Sequence, residues 1–148
     1  MKIRLDVKTE QYDIIKKELE AHGIEIDDDA EYVISQRNTY VDYLFVRKDD
    51  VNLHVAVEDI AYIETLGHDV FVYTNEDTYK CTERLWQLEK SLNPEHFLRI
   101  SNSAIIAINQ VKKIKPALSQ KFTLILSCGK TIDVTRTYYY AFKEFFRI

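Results

Sequence analysis

Residues 97–109 have the sequence Phe-Leu-Arg-Ile-Ser-Asn-Ser-Ala-Ile-Ile-Ala-Ile-Asn, in which a short polar link joins two apolar runs. The runs Phe97–Ile100 and Ala104–Ile108 are short and rich in branched side chains, which predicts two strands. The short polar link between them places Arg99, Ser101, Asn102 and Ser103 near one another in the sequence. Arg and Asn carry the paired donors and acceptors that match base edges in the major groove of DNA. An ordinary polar β-turn explains the same residues, and the stretch alone does not decide between the two interpretations.

The same short-strand pattern extends from Tyr43 almost to the C-terminus and predicts a mainly β chain. The predicted strands are Tyr43–Val46, Leu53–Val57, Ile60–Glu64, Val70–Thr74, Thr78–Cys81, Phe97–Ile100, Ala104–Ile108, Val111–Lys115, Phe122–Ser127 and Thr131–Thr135. Cys128-Gly129-Lys130 separates the last two and predicts a hairpin turn. One helix is expected between the strands Thr78–Cys81 and Phe97–Ile100. Its N-cap is Thr82, its body contains Leu85, Trp86, Leu88 and Leu92, and it ends at Asn93-Pro94. A final amphipathic helix is expected over residues 138–148.

The first 42 residues predict a separate small α+β segment with the order β-α-β. Lys2–Val7 alternates in polarity as a half-buried strand does. Thr9 is expected to be the N-cap of a helix that ends at Gly23, the position of a left-handed C-cap. A second strand begins at Ile24 and stops at the acidic turn of residues 27–29. The segment ends in the polar stretch Ser35–Asn38, so the predicted boundaries are 1–42 and 43–148.

Composition and motifs argue against several function classes. The 148 residues include three Gly and two Pro, which excludes a Pro/Gly-rich disordered chain. The histidines and cysteines share no zinc-ligand spacing, and neither a phosphate-binding glycine loop nor a nucleophile elbow is present. We therefore expect no enzyme activity, no cofactor and no metal. No apolar run approaches the roughly 18 residues of a membrane span. The prediction is a soluble cytoplasmic protein whose two cysteines, Cys81 and Cys128, are reduced and buried.

Charge is distributed unevenly along the chain. Residues 1–45 carry six Lys and Arg against eleven Asp and Glu, a net charge of −5. Residues 46–95 carry five against eleven, a net charge of −6. Residues 96–148 carry nine basic residues against only Asp133 and Glu144, a net charge of +7. This segregation points to a basic working surface toward the C-terminus, although a solvated basic face without a partner has the same composition.

Five fragments in a fixed order resemble the LytTR DNA-binding domain of bacterial transcription regulators, across residues 43–148. They are Val57–Glu64, the Gly67-His68-Asp69 loop, the Leu85, Leu88 and Leu92 helix, Phe97–Ser103 and Gly129–Arg136. The third, fourth and fifth resemble the family patterns Leu-x-x-Leu-x-x-x-Leu, Phe-x-Arg-x-His-x-Ser and Gly-x-x-Ile-x-Val-Ser-Arg. Ser101 stands where the family frequently has His, and Ala107 where it usually has Asn.

The resemblance implies an antiparallel fold of several small sheets whose loops enter successive major grooves. At the matching positions it assigns base or groove contacts to His68, Asn102 and Arg136. The nearby Lys80, Arg99 and Ser101 are then phosphate or supporting contacts. Double-stranded DNA is the expected partner, bound by a homodimer or by copies in tandem on DNA repeats.

The resemblance also implies a stand-alone bacterial regulator without a receiver domain, because residues 1–42 are too few to form one. A stand-alone protein of this size resembles the members of the family that are regulated by a partner protein, in some systems a membrane protein. Residues 1–42 are expected to form a dimerisation or partner surface, or a cap over a sheet edge. The competing function class is a protein-interaction or ligand-sensing module with a similar β fold and no role in DNA binding.

Overall fold

The structure, a computed structural model, describes residues 1–36 and 40–148. The chain divides into two units, Met1–Thr39 and Tyr40–Ile148, which we call the N-terminal and C-terminal units. The predicted fold class is confirmed: antiparallel sheets dominate the chain, and a small α+β segment precedes them.

The N-terminal unit consists of β1 (Lys2–Asp6), α1 (Thr9–Ala21), β2 (Glu25–Ile26) and β3 (Tyr32–Ser35). Its three strands form a parallel sheet in the order β2-β1-β3. Ile3 and Leu5 of β1 are buried while their neighbours in the strand are exposed, as the period of two predicts. Strand β3 was not predicted. It includes Ser35 from the expected polar stretch Ser35–Asn38, whose last two residues lie outside the described part of the chain.

The ends of α1 show one correct and one wrong prediction. Gly23 has a φ of +79°, and its N–H donates to the Glu20 carbonyl while that of Ile24 donates to the Leu19 carbonyl. These two bonds form a Schellman motif, so the glycine C-cap is confirmed. The N-cap is Lys8 rather than Thr9, and no side-chain hydrogen bond caps the helix there.

The C-terminal unit is built on a seven-stranded antiparallel sheet. Its members, in chain order, are β4 (Tyr43–Lys48), β5 (Val51–Ala56), β6 (Ile60–Leu66), β7 (Asp69–Thr74), β8 (Thr78–Cys81), β9 (Phe97–Ser101) and β10 (Ala104–Ala107). Their order across the sheet is β5-β4-β8-β7-β6-β10-β9. Helix α2 (Leu85–Ser91) follows β8. It begins after Arg84 rather than after Thr82, because the Arg84 N–H donates to Gln87 Oε1 over 2.8 Å.

A second antiparallel sheet completes the unit. It contains β11 (Val111–Ala117), β12 (Lys121–Leu126) and β13 (Thr131–Val134), and it is followed by α3 (Tyr139–Phe146). The hairpin turn predicted at residues 128–130 is confirmed. Gly129 has a φ of +92° and donates its N–H to the Leu126 carbonyl over 2.9 Å.

Apolar side chains cover both faces of the seven-stranded sheet. On β10 the adjacent residues Ile105 and Ile106 point to opposite faces and enter two different hydrophobic clusters. The first cluster includes the buried Leu85 and Leu88 of α2. The second joins the sheet to β12, β13 and the fully buried Phe142 of α3. This double packing fixes the turns at the ends of the strands, where the candidate site residues lie.

The cysteine prediction holds for only one of the two thiols. Cys81 is buried, whereas Cys128 is exposed because it lies in the tip of the β12–β13 hairpin. Within residues 1–36 and 40–148, no helix has the length and apolar character needed to cross a membrane.

Candidate nucleic-acid interface

Asn102 and Ser103 form the turn between β9 and β10. Asn102 is exposed, while Ser101, directly before it, is buried. The Ser101 hydroxyl accepts the Ser103 N–H over 3.2 Å and lies 3.2 Å from the Ser103 hydroxyl. Short side-chain-to-backbone bonds of this kind fix a turn locally. Ser101 therefore holds the turn, and Asn102 projects from it.

The Arg99 guanidinium supports the same turn from within the protein. Its Nε donates to the Ser101 carbonyl and its Nη2 to the Asn102 carbonyl, each over 2.7 Å. Its Nη1 donates to Glu89 Oε2 of α2, also over 2.7 Å. The Arg99 side chain is only 14% exposed. All three guanidinium nitrogens are thus committed to contacts within the protein.

Arg136 reaches this turn through the end of β13. The Thr135 N–H donates to the Ile100 carbonyl of β9 over 3.0 Å, and a single turn of 3-10 helix, Arg136–Tyr138, follows. Tyr138 Oη then donates to Asn102 Oδ1 over 3.3 Å. Arg136 itself is exposed, and its side chain forms no hydrogen bond or ion pair with any other described residue. Two backbone segments that are far apart in sequence therefore present Asn102 and Arg136 close together.

His68 lies on a different turn at the same end of the seven-stranded sheet. Gly67 and His68 connect β6 to β7, with Gly67 at a φ of +63°. His68 is exposed, and its carbonyl accepts a bond from Arg84 Nη1 over 3.1 Å. The Thr65 N–H donates to the Ser103 carbonyl over 2.8 Å, which links this hairpin to the Asn102 turn.

Lys80 lies on β8, beside the His68 hairpin. Its Nζ is 3.1 Å from Asp69 Oδ1, and both side chains are about half exposed. The register pairs Lys80 with Phe71 of β7 and with Arg47 of β4. The ammonium group is accessible, but it is shared with a carboxylate.

Three other cations of the C-terminal unit have no acidic partner in the part of the chain that the structure describes. Lys112, Lys113 and Lys115 of β11 are exposed, and none forms an ion pair with a described residue. Lys130, in contrast, lies 3.6 Å from Glu64 Oε1 and 5.6 Å from the centre of the Tyr62 ring. The pKa of the Tyr62 hydroxyl is raised to about 12, mainly because the group is buried and to a lesser extent because Tyr73 lies beside it. The three β11 lysines are thus free to meet anionic groups.

The structure brings together Arg99, Ser101, Asn102 and the segment that carries Arg136. It places His68 on the adjoining β6–β7 hairpin and Lys80 on the neighbouring strand β8. Sequence reasoning missed Tyr138, Glu89 and Arg84, which hold these turns from distant positions. Tyr138 was assigned only to an aromatic helix, and no local pattern marks such contacts. Among the described residues, no group of three or more His, Cys, Asp and Glu side chains is placed to hold a metal ion.

The fold and the turns match a known family of DNA-binding domains. The family model of the LytTr DNA-binding domain matches residues 50–147. The chain belongs to this family, so the resemblance found in its sequence motifs is confirmed.

Individual relatives agree with this assignment. The chain is 35% identical over 94 residues to the sensory transduction protein LytT of Bacillus cereus, a match covering 64% of this chain and 38% of that protein. It is 27% identical over 118 residues to the transcriptional regulatory protein LytR of Staphylococcus aureus, covering 79% of this chain and 48% of that protein. The chain thus spans less than half the length of either relative.

A solved structure shows the same fold. It is the LytTr DNA-binding domain of a putative methyl-accepting/DNA response regulator from Bacillus cereus. The TM-score is 0.70 at 22% sequence identity, and the match covers 73% of this chain and 99% of that one.

Proposed function

We propose that this protein is a bacterial transcriptional regulator that binds duplex DNA sequence-specifically and reads major grooves through turns of its C-terminal unit. The observation that carries the proposal is that Asn102 and Arg136 lie on two backbone segments that are held next to each other. Both side chains are exposed, and the backbones that carry them are joined by hydrogen bonds. Membership of the LytTR family and the regulators LytT and LytR among its relatives support the same function.

The two exposed side chains have the chemistry for reading base edges. An Arg guanidinium donates two parallel bonds to guanine O6 and N7, and an Asn amide donates its N–H groups to base acceptors such as purine N7. Rigid presentation of the two backbone segments matters, because a turn that is already ordered loses less entropy on binding. Among the described residues Arg136 has no competing partner, whereas Arg99 has three. We therefore assign base reading to Arg136 and Asn102, and a supporting role to Arg99 and Ser101.

His68 and Lys80 extend the interface along the sheet end. The His68 hairpin is joined to the Asn102 turn by the bond from Thr65 to Ser103, but His68 and Asn102 lie on two different turns. We assign to His68 a contact in a neighbouring stretch of groove and to Lys80 a phosphate contact. The unpaired β11 lysines are further candidates for phosphates, because DNA binding gains much of its affinity from cations that displace condensed counterions.

The remaining parts of the proposal concern assembly and location. Such a regulator acts in the cytoplasm, bound to DNA as a homodimer or in tandem on repeats, and it is controlled by a protein partner. The acidic N-terminal unit is our candidate for the dimerisation or partner surface. Nothing in the site calls for a catalytic role.

A salt titration with selected DNA tests the proposal. Duplexes retained by the purified full chain from a random library identify the target sequence. Fluorescence anisotropy on that duplex and on a scrambled one, at two salt concentrations, then measures affinity. We expect tighter binding to the selected duplex and a steep loss of affinity with salt. The logarithm of the binding constant should fall against the logarithm of the salt concentration with a slope of about −0.9 per neutralised phosphate. Absent or salt-independent binding would favour a protein-interaction or ligand-sensing module instead.

A further inference from the structure

We propose that Tyr138 is a positioning residue that orients the Asn102 side-chain amide and thereby sets which base edge Asn102 reads. This inference rests on the proposed function, since it requires that Asn102 contacts a base. Tyr138 lies in the 3-10 turn that also carries Arg136, 36 residues from Asn102 in sequence.

The contact between the two side chains leaves the amide with one free end. Tyr138 Oη donates to Asn102 Oδ1 over 3.3 Å. Asn102 Nδ2 forms no hydrogen bond with any described residue, and the Asn102 side chain is exposed. The oxygen is therefore held against the protein, while the two N–H donors of Nδ2 are available to a ligand.

Arg99 holds the Asn102 turn beside the Tyr138 ring. Its guanidinium carbon lies 6.0 Å from the centre of the Tyr138 ring, and its Nη2 is 2.7 Å from the Asn102 backbone oxygen. Arg99 thus fixes the backbone on which the Asn102 side chain stands, next to the ring whose hydroxyl contacts the amide.

The fixed amide predicts how Asn102 discriminates among base pairs. With its N–H donors outward, Asn102 recognises an acceptor in the major groove, namely purine N7, guanine O6 or thymine O4. The amino groups of cytosine and adenine offer donors at the corresponding edge and are disfavoured. Loss of the Tyr138 hydroxyl frees the Asn102 amide to rotate. The preference of Asn102 for base acceptors should then weaken, although the aromatic ring at position 138 stays packed.

The test is a double-mutant cycle on DNA discrimination. Tyr138→Phe removes only the hydroxyl and keeps the ring that packs beside Arg99 and the core. Tyr140→Phe is the matched control, because it makes the same chemical change two residues later, in α3. There Tyr140 Oη accepts from Gln120 Nε2 and does not contact Asn102. Affinities of the full-length variants are measured on the selected duplex and on duplexes with each base pair changed singly. Thermal unfolding of each variant confirms that it is folded.

The expected pattern is specific to one base pair. Asn102→Ala removes discrimination at the base pair that Asn102 contacts. Tyr138→Phe lowers discrimination at that same base pair by about 2- to 12-fold, the range that follows from the net value of one hydrogen bond. Tyr140→Phe leaves discrimination unchanged, and adding Tyr138→Phe to Asn102→Ala has no further effect.

Two results would overturn the proposal, and they differ from failure of the function itself. Unchanged discrimination in Tyr138→Phe, while Asn102→Ala abolishes it, would show that Tyr138 does not position the amide. A loss that persists in the Asn102→Ala background would show that Tyr138 acts through another group. If Asn102→Ala altered discrimination at no base pair, base reading by Asn102 would fall instead, and the positioning role would fall with it.

Discussion

At the scale of single residues, Asn102 and Arg136 are the most direct test of base reading. We expect Asn102→Ala and Arg136→Ala each to weaken binding to the selected duplex by about 1–3 kcal/mol, because each removes a hydrogen-bonded contact to a base edge. Binding to scrambled DNA should change much less. Lys112→Ala and Lys113→Ala are the comparison, since loss of a phosphate contact weakens both duplexes alike. Equal losses on both duplexes for Asn102→Ala would refute its role in base reading.

Arg99 is expected to stabilise the protein rather than to bind phosphate. Arg99→Lys keeps the charge but loses the planar fork that bonds two carbonyls and Glu89. We predict that it lowers the free energy of unfolding by about 1–3 kcal/mol, measured by urea denaturation. Arg136→Lys, at an exposed arginine without such bonds, should change it by less than about 0.5 kcal/mol. Unchanged stability, with weaker binding to every duplex, would instead identify Arg99 as a phosphate contact.

The candidate site was only partly accessible from the sequence. The polar link around Asn102 stands out because apolar strands flank it, but Arg136 alone looked like any exposed residue at the start of a helix. Only the family motif joined the two. Their proximity depends on bonds from Thr135 to Ile100 and from Tyr138 to Asn102, which span more than 30 residues. Periodicity reports the faces of one element and carries no information about such pairs.

At the scale of elements, the β6–β7 hairpin shows how a turn presents a site residue. Gly67 has a φ of +63°, and a Cβ added there would meet no atom within 4 Å. Gly67→Ala should therefore destabilise the protein by roughly 1 kcal/mol through backbone strain alone. Gly67→Asn should cost less, because Asn tolerates the left-handed region. Urea unfolding of the three proteins measures this order, and equal stabilities would contradict a positive φ at Gly67 in solution.

Strands were easier to predict than helix starts, because a half-buried strand leaves an alternating polarity in the sequence and a helix start does not. Alternating burial on β12 and β13 follows from packing one face on a core, so polarity in the sequence reports it directly. Helix starts depend on which local hydrogen bond forms. The threonines at positions 9 and 82 are good N-caps by residue type, yet the helices begin after Lys8 and Arg84. Strand β3 escaped prediction because all four of its side chains are exposed and show no alternation.

At the scale of the whole molecule, charge separates the two ends of the sequence. Residues 96–148 carry a net charge of +7, and they include Asn102, Arg136 and the unpaired lysines of β11. Residues 1–42 carry six basic and eleven acidic residues, a net charge of −5. A polyanion attracts the first segment and repels the second at distances of about one Debye length, some 8–10 Å. We therefore expect the acidic segment to lie away from bound DNA.

The last prediction is that the N-terminal unit affects assembly or regulation and does not read bases. With Ile3 and Leu5 as its buried apolar residues, its core is too small to be stable alone. A truncated protein should begin at Tyr40, because the backbones of Val41 and Asp42 bond to Ser91 and Val57 of the C-terminal unit. We expect it to keep the DNA sequence preference of the full chain while losing solubility, dimerisation or the response to a partner. Analytical ultracentrifugation and anisotropy of both proteins measure this. A truncated protein that folds but no longer distinguishes the selected duplex from the scrambled one would show that residues 1–39 take part in recognition.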